Sequence, residues 1–293
     1  MKKLAIIYTI LVVSFSAIYA QPFTDIATFN AQKLNTKYSN GIGTNLTSNY
    51  FAGLLLPLKI NAKNTIIVRL NTEELVSKNT AYDIKERSLY ALTFGIGAQH
   101  YFGKKLSAVF LFMPKIATDF EKKLNQYDKQ YGGSVLLQYK FGKHFRAKAG
   151  MYYNKEPFGN FFVPLLGIDW QISPRWMIYG TFPLMNRLEF KISNHLYTGV
   201  GSRVYGRSYR LSSYLNSDYI WNQENQVKYF FDYYITKKLV CYAELGRTFG
   251  YGPKQIMFNK SRDNVVLNHP IYQPINQGFF VNVGVAIRIR TGI

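Results

Sequence analysis

Residues suited to catalysis are scarce in this chain of 293 residues, which has four histidines. A hydrolase needs a serine or aspartate within hydrogen-bond reach of a histidine. His144 and His195 lie in short polar segments, His269 lies in a longer one, and His100 lies near the end of an apolar run. The residue two positions after each histidine is never Ser, Asp or Glu. A catalytic group can still assemble from distant segments, so a hydrolase is a remote alternative, but the pattern predicts that the protein is not an enzyme and has no catalytic residues.

The sequence gives equally little indication of a metal site or a disulfide. Cys241 is the one cysteine, so no disulfide can form within the chain. The sequence holds no histidine-rich or acidic cluster with metal-ligand spacing, so it predicts no metal site and no cofactor.

Charge is the stronger chemical signal, because Lys and Arg number 36 against 16 Asp and Glu, a net charge of +20. Several of these charges occupy alternate positions in apolar runs. Arg146 and Lys148 alternate with Phe145, Ala147 and Ala149. Rings of Lys and Arg in a water-filled channel select anions, so the element that positions these residues decides what they do.

That element is a β-strand with one apolar face, since side chains on a strand point to opposite faces in turn. The last run shows this best: six alternate positions from Phe279 to Ile289 are apolar, while Arg288 and Arg290 lie on the other face. A soluble β-sandwich also alternates. A full apolar face on nearly every strand, bordered by Tyr, Trp or Phe in a chain with 24 Tyr and 22 Phe, favours a lipid-facing surface.

A short turn recurs between these runs. Tight polar segments follow Phe102, Phe141, Ile172, Ile192 and Ile235, and a looser copy follows Ile60. The intervening connections are long and polar, as in Glu74 to Ser88, Thr118 to Lys129 and Leu211 to Asn225. Short periplasmic turns and long outer loops are typical of outer-membrane barrels.

Six such turns predict an all-β fold: a closed antiparallel transmembrane β-barrel of about 14 strands. The two strands between Trp176 and Ile192 are shorter than the usual ~10 residues. Reading Asn186 to Asn225 as one large loop gives the alternative of 12 strands.

Residues 1–20 predict a signal peptide. Lys2 and Lys3 precede the apolar stretch Leu4–Phe15, and a small residue, Ala20, stands at the cut before Gln21. The apolar stretch is too short for a spanning helix, which leaves an uncleaved anchor as the weaker alternative. We therefore expect export to the outer membrane of a Gram-negative cell, with residues 21–293 forming one barrel domain.

The stretch Tyr152 to Gly246 resembles an uncharacterised outer-membrane β-barrel family of the Bacteroidota, a domain of unknown function. The likeness is carried by four segments: 160–170, 187–192, 208–211 and 231–237. The strong part of the likeness covers about a third of the chain. The resemblance implies a barrel and transfers no activity and no site residue.

If the alternation holds, the residues that face the lumen follow from it. The basic candidates are Lys59, Arg69, Lys140, Arg146, Lys148, Lys228, Arg288 and Arg290. The acidic candidates are Asp169, Glu189, Asp232 and Glu244. The excess of base favours a passive pore with weak anion preference. A packed interior in which these charges pair is the alternative, and it would make the barrel a non-conducting structural or binding protein.

The partners follow from the location. Arg203, Arg207 and Arg210 are candidates for an outer-rim site that binds lipopolysaccharide phosphates, with solubilising charge as the simpler reading. Outer-membrane lipid, the barrel insertion machinery and small anionic solutes are the other expected partners. Nucleic acid is not, because export removes the chain from it. The chain ends at Ile293 rather than at an aromatic residue, so recognition by the insertion machinery is expected to depend on Phe279 or on the alternation itself.

Overall fold

The chain forms one long series of antiparallel β-strands. The computed structural model describes residues 22–38, 44–79, 86–211, 219–249, 254–258, 264–266 and 275–290. The signal peptide predicted for residues 1–20 and the last three residues lie outside these ranges. Among the described residues, no helix has the length and apolar character needed to cross a membrane.

Sixteen strands and one 3-10 turn (Gln126–Asp128) make up the described chain. The strands are β1 Phe23–Tyr38, β2 Thr44–Lys59, β3 Asn64–Asn79, β4 Arg87–Tyr101, β5 Leu106–Thr118, β6 Lys129–Lys140, β7 Phe145–Glu156, β8 Gly159–Gln171, β9 Trp176–Phe182, β10 Met185–Lys191, β11 Leu196–Arg210, β12 Tyr219–Tyr234, β13 Leu239–Phe249, β14 Lys254–Phe258, β15 Asn264–Val266 and β16 Ile275–Arg290.

Fourteen of these strands close into a barrel. Strands β1 to β13 pair in sequence order, β13 pairs with β16, and β16 returns to β1. The closing pair runs from Phe23 opposite Arg290 to Tyr38 opposite Ile275. Strands β14 and β15 form a small ribbon attached to β12 outside this ring. Every strand of the ring therefore has a partner on both sides over at least part of its length, which is how a sheet in lipid satisfies its backbone groups.

The six predicted turns are confirmed. Each begins where one strand ends and stops where the next begins, as between Tyr101 and Leu106 or between Lys140 and Phe145. In four of them a side-chain oxygen caps the turn: Asn61, Ser173, Ser193 and Thr236 each accept a hydrogen bond from the backbone N–H three residues later. Such local bonds favour a tight turn over continued strand.

The barrel has 14 strands because the doubtful interval forms two short strands. Residues 176–191 make the hairpin of β9 and β10, with seven residues in each strand. The 12-strand alternative is therefore wrong. Both strands are paired along their length, with Trp176 opposite Phe190 and Arg187 opposite Gly201. Their shortness leaves the wall low at this point.

Two of the polar stretches predicted as loops are partly strand. Glu74 belongs to β3, and residues from Tyr219 onward belong to β12. The prediction was wrong here because polarity was taken as a sign of loop. Asn222 and Glu224 are instead buried, on the inner face of β12. A barrel interior accepts polar residues that the core of a soluble sheet would not.

The alternation sorts residues into an outer apolar face and an inner polar face. In β12, Val227, Tyr229 and Phe231 are 54%, 64% and 45% exposed, while Lys228 and Asp232 are buried. Aromatic residues border the apolar band next to the short turns, at Phe102, Phe141, Trp170 and Trp176, and at the opposite end, at Tyr131 and Phe249. An apolar exterior with aromatic borders on a closed barrel is the surface that spans a membrane.

Candidate functional site: the barrel interior

The end of the interior next to the short turns contains paired charges. Asp169 of β8 accepts from Lys148 at 2.5 Å and from Arg146 at 3.1 Å, both on β7. All three side chains are buried. The strand alternation directs them inward together, because Arg146 stands opposite Asp169 in the β7–β8 register.

A second and larger ion-pair group crosses the lumen. Arg187 of β10 bonds Asp232 of β12 at 3.0 Å and Glu244 of β13 at 2.8 Å. Lys228 bonds Glu244 at 2.6 Å, and Arg288 bonds Asp232 at 2.5 Å. Lys228 and Glu244 lie on adjacent strands, but the contacts of Arg187 and the Arg288–Asp232 contact join strands that are not neighbours in the wall, so these arginine side chains extend into the bore.

The same group continues to the closing strands. Arg288 also bonds Asp25 of β1 at 2.6 Å, and Arg290 bonds Glu189 of β10 at 2.7 Å. Tyr179 donates to Glu189 at 3.0 Å. Every acid in the group thus has a cationic partner, which buried carboxylates require.

Aromatic rings fill the space between these charges. The Arg288 guanidinium lies 3.8 Å from the ring centroid of Phe23, and Arg187 lies 4.0 Å from that of Phe230. Arg290 lies 3.7 Å from the Tyr197 ring. Cation–π contacts of this kind add to ion pairing where water is excluded. This end of the barrel is packed, not a clear bore.

The outer part of the interior is crossed by the hairpin of β11 and β12. In the ring of fourteen strands, β11 lies six places from β5, close to the opposite side of the barrel. The last residue of β11 nevertheless pairs with β5, because Arg210 stands opposite Thr118. The outer end of the hairpin therefore extends across the mouth.

Polar contacts hold the hairpin to the far wall. Arg207 is in ion-pair contact with Glu73 of β3 at 2.7 Å, and Arg210 donates a hydrogen bond to Asp128 of the 3-10 turn at 2.9 Å. Ser208 donates to Glu156 of β7. We call these contacts the latch. An apolar cluster accompanies it, formed by Leu75, Leu89, Ala91, Ala117, Tyr209, Leu211 and Ile220.

The residues predicted for the lumen separate into two groups. Arg146, Lys148, Lys228, Arg288, Asp169, Glu189, Asp232 and Glu244 are buried, and together with Arg290 they form the ion pairs described above. Lys59 is exposed at the end of β2, and Lys140 is half-buried at the end of β6, both beside short turns. Arg69 lies half-buried in the middle of β3.

The predicted outer-rim arginines are engaged within the barrel. Arg207 and Arg210 belong to the latch. Arg203 donates to the hydroxyl of Tyr205 and, at 3.8 Å, to the sulfur of Met185. Tyr205 makes cation–π contacts with two of these arginines, since its ring centroid lies 5.0 Å from the Arg203 guanidinium and 4.0 Å from that of Arg207.

Several interior residues were not found from the sequence. Arg187 was missed because its short strand was doubtful, and Asp25 of β1 was not among the predicted acidic residues. Glu73 and Asp128 lie at the edges of stretches read as loops. With them, eight basic side chains pair with seven acidic ones in the interior of the described chain. Among these paired residues, basic side chains therefore outnumber acidic ones by one, a smaller excess than the sequence predicted for the lumen.

Other chemistry finds little support in the described part of the chain. No group of three or more His, Cys, Asp or Glu residues there could hold a metal ion. His100 bonds the Asn64 side chain at 2.7 Å, and His195 bonds the Tyr234 carbonyl at 2.9 Å. His269 lies outside the described residues. Cys241 is exposed on the outer face.

The fold is similar to that of solved outer-membrane channels. An outer membrane channel from Pseudomonas putida F1 matches with a TM-score of 0.51 and 8% identity, over 94% of this chain and 100% of that one. The toluene transporter TodX of P. putida matches at 0.40 and 10%, over 92% and 91%. The NanC porin matches at 0.37 and 9%, over 89% and 100%. Of these three, the first shows the shared fold and nothing beyond it.

No protein-family model matches the chain, and no curated protein matches it. The resemblance to the Bacteroidota barrel family therefore stays a prediction. The fold and its interior define the class: a 14-stranded antiparallel transmembrane β-barrel of the outer-membrane type, with paired charges in its lumen.

Proposed function

We propose that this chain is a channel of the Gram-negative outer membrane whose resting state is closed to small ions. Export would use the predicted signal peptide, cleaved before Gln21. The location is supported by the apolar outer face, its aromatic borders and the likeness in fold to an outer membrane channel.

The observation that carries the closed state is the hairpin across the mouth. Arg210, the last residue of β11, pairs with Thr118 on the other side of the barrel, and the latch contacts hold it there. Beneath it, the group around Arg187 occupies the lumen. Two successive obstructions favour a gated channel over the open passive pore expected from the sequence alone.

Planar-bilayer recording of the purified protein tests this proposal. We expect rare openings from the wild type. Glu73→Gln combined with Asp128→Asn removes the two acids that pair with arginines in the latch and should raise the open probability at least tenfold. Glu86→Gln is the matched control, because it breaks an exposed ion pair with Lys78 that does not cross the mouth. A steady ohmic current from the wild type would contradict the closed resting state.

A weak anion preference of the open state is the second candidate. It is favoured by Arg69 and Arg203, neither of which has a carboxylate within ion-pair distance among the described residues, whereas Asp169 engages Arg146 and Lys148. In the latch variant we expect chloride to be more permeant than potassium. Arg69→Glu should reduce or reverse that ratio. An unchanged ratio would remove the preference.

The alternative of a non-conducting structural or binding barrel makes a different prediction. It requires silence from both the wild type and the latch variant, although both are folded. Lipopolysaccharide, other membrane lipid and the insertion machinery would then be its principal partners. We propose no catalytic role, and turnover of phospholipid by the pure protein would contradict that.

A further inference from the structure

Two interior arginines differ from the others in their partners. Eight basic side chains inside the described barrel each lie within ion-pair distance of a carboxylate. Arg69 of β3 and Arg203 of β11 have no such partner among the described residues. Glu244 on β13, two strands from Arg203, is already in ion pairs with Arg187 and Lys228.

Their hydrogen bonds go to neutral groups. Arg203 donates to Tyr205 and to the Met185 sulfur. Arg69 donates to the Asn71 amide oxygen from Nε at 2.8 Å and from Nη2 at 3.1 Å, with that amide oriented to accept. Two half-buried guanidiniums with neutral neighbours thus lack the anionic partner that each of the other eight basic side chains has.

The two arginines lie at a similar depth on strands that approach each other across the lumen. Arg207 of β11 and Glu73 of β3 are in ion-pair contact at 2.7 Å, and each stands four residues beyond its arginine on a strand that leaves a short turn in the same direction. Gly95 stands opposite Arg69 in the β3–β4 register, and a side chain there would begin 3.0 Å from the Arg69 Cβ. The glycine thus leaves room for Arg69. A pair of guanidiniums converging from two walls is suited to a bound carboxylate or phosphate.

The wall is open beside this pair. Strand β10 begins at Met185, opposite Arg203, and β5 pairs with β11 only at Arg210, so residues 204–209 of β11 have no strand partner on that side. Strand β8 pairs with β9 only from Leu166 onward, so Gly159–Leu165 also has none. No described strand fills the space between them. The Val204 N–H donates to the Leu184 carbonyl at 3.1 Å and closes the base of this gap.

The gap lies at the depth of the lipid. Seven residues at roughly 3.3 Å each, tilted by about 40°, rise about 18 Å, less than the apolar band of about 25 Å. Its rim is apolar, because Phe162, Phe182 and Leu184 are all exposed there. A hydrocarbon chain could lie in the gap while an attached anion reaches Arg203.

We propose that Arg69 and Arg203 bind the head group of an anionic amphiphile, a carboxylate or phosphate, whose apolar chain lies in the gap between β8 and β11. This deepens the proposed function by giving the channel a ligand class, and it depends on that function only for the route of transport. Binding itself requires no conduction.

Calorimetric titration of the folded protein in a nonionic detergent tests the site. The probes are octyl phosphate, octanoate, octanol and inorganic phosphate. We expect saturable binding of octyl phosphate, octanoate or both, and the tighter of the two identifies the head group. Octanol lacks the anion and inorganic phosphate lacks the chain, so each should bind at least tenfold more weakly.

Variants separate the two parts of the site. Arg69→Gln and Arg203→Gln should each weaken binding of the amphiphile at least tenfold. Arg247→Gln removes the same charge from the exposed face of β13 and should change nothing. Leu184→Asp should weaken octyl phosphate without affecting inorganic phosphate. Heat-dependent gel migration confirms that each variant is folded.

Three results would overturn the proposal: equal binding by folded Arg203→Gln and wild type, equal binding of octanol and the anions, or inorganic phosphate binding as tightly as octyl phosphate. An open pore in the bilayer experiment would refute the closed resting state and leave these titrations unaffected. The two failures are therefore distinguishable.

Discussion

Arg187 and Asp232 are joined by a hydrogen bond of 3.0 Å between strands that are not neighbours in the barrel wall. The other terminal nitrogen of Arg187 reaches Glu244 at 2.8 Å. One guanidinium from a strand of seven residues thus holds the inner faces of two longer strands. This ties the low part of the wall to the closing side of the barrel.

The first prediction concerns this tie. Arg187→Met should lower the free energy of unfolding by about 3 kcal/mol, because it leaves two buried carboxylates with one cationic partner fewer. Lys237→Met is the control, since it removes a charge from an exposed turn. Urea unfolding in detergent, followed by gel migration, measures both. Equal stability of the two variants would mean that the group adds nothing to stability.

The second prediction concerns the position of the hairpin. Thr118 and Arg210 are direct partners across the mouth. With Cys241→Ser in the background, Thr118→Cys and Arg210→Cys should form a disulfide on mild oxidation, because bridge partners lie within reach of one. Single-cysteine variants provide the control for crosslinking between molecules.

The crosslinked protein should also stay silent in a bilayer. A reductant should restore openings, and these should be more frequent than in the wild type because Arg210→Cys also removes the ion pair with Asp128. Failure to form the bond within one chain, in a folded protein, would show that the hairpin does not rest against β5.

The third prediction concerns the lipid-facing band. Val283 lies in the middle of β16 and is 51% exposed, whereas Ile235 is similarly exposed but borders a short turn. Val283→Arg should destabilise the protein in lipid vesicles by about 2–4 kcal/mol, and Ile235→Arg by about 1 kcal/mol or less. Guanidinium titration in vesicles measures the difference. Equal costs would place the membrane elsewhere on the barrel.

The fourth prediction concerns a close approach of two strands. A Cβ on Gly246 would lie 2.2 Å from the Val227 carbonyl oxygen and 2.9 Å from the Lys228 Cα. Gly246→Ala should therefore cost about 1–3 kcal/mol through displacement of β12 from β13. Gly206→Ala is the matched control, because no atom lies within 4 Å of its added methyl group. If Gly246→Ala and Gly206→Ala had equal effects on stability, β12 would be able to move away from β13 without loss of stability.

The sequence by itself determined the class of this fold and most of the inner face. Alternation and turn signals are local properties, because a strand presents alternate residues to opposite sides and a turn needs particular residues at a few adjacent positions. The six turns and the inward Arg146, Lys148, Asp169 and Asp232 follow from such patterns. The strand number stayed open only at β9 and β10, where each strand is too short to show its period clearly.

Tertiary structure alone decided what the inward residues contact. Whether Lys148 faces water or Asp169 depends on strand register, and the pairing of Arg187 with Asp232 depends on a span across the bore. The course of the β11–β12 hairpin toward β5 depends on contacts between residues far apart in the chain, such as Arg207 and Glu73. Local periodicity carries no information on such distances, so the change from an expected passive pore to a proposed closed channel comes from the structure.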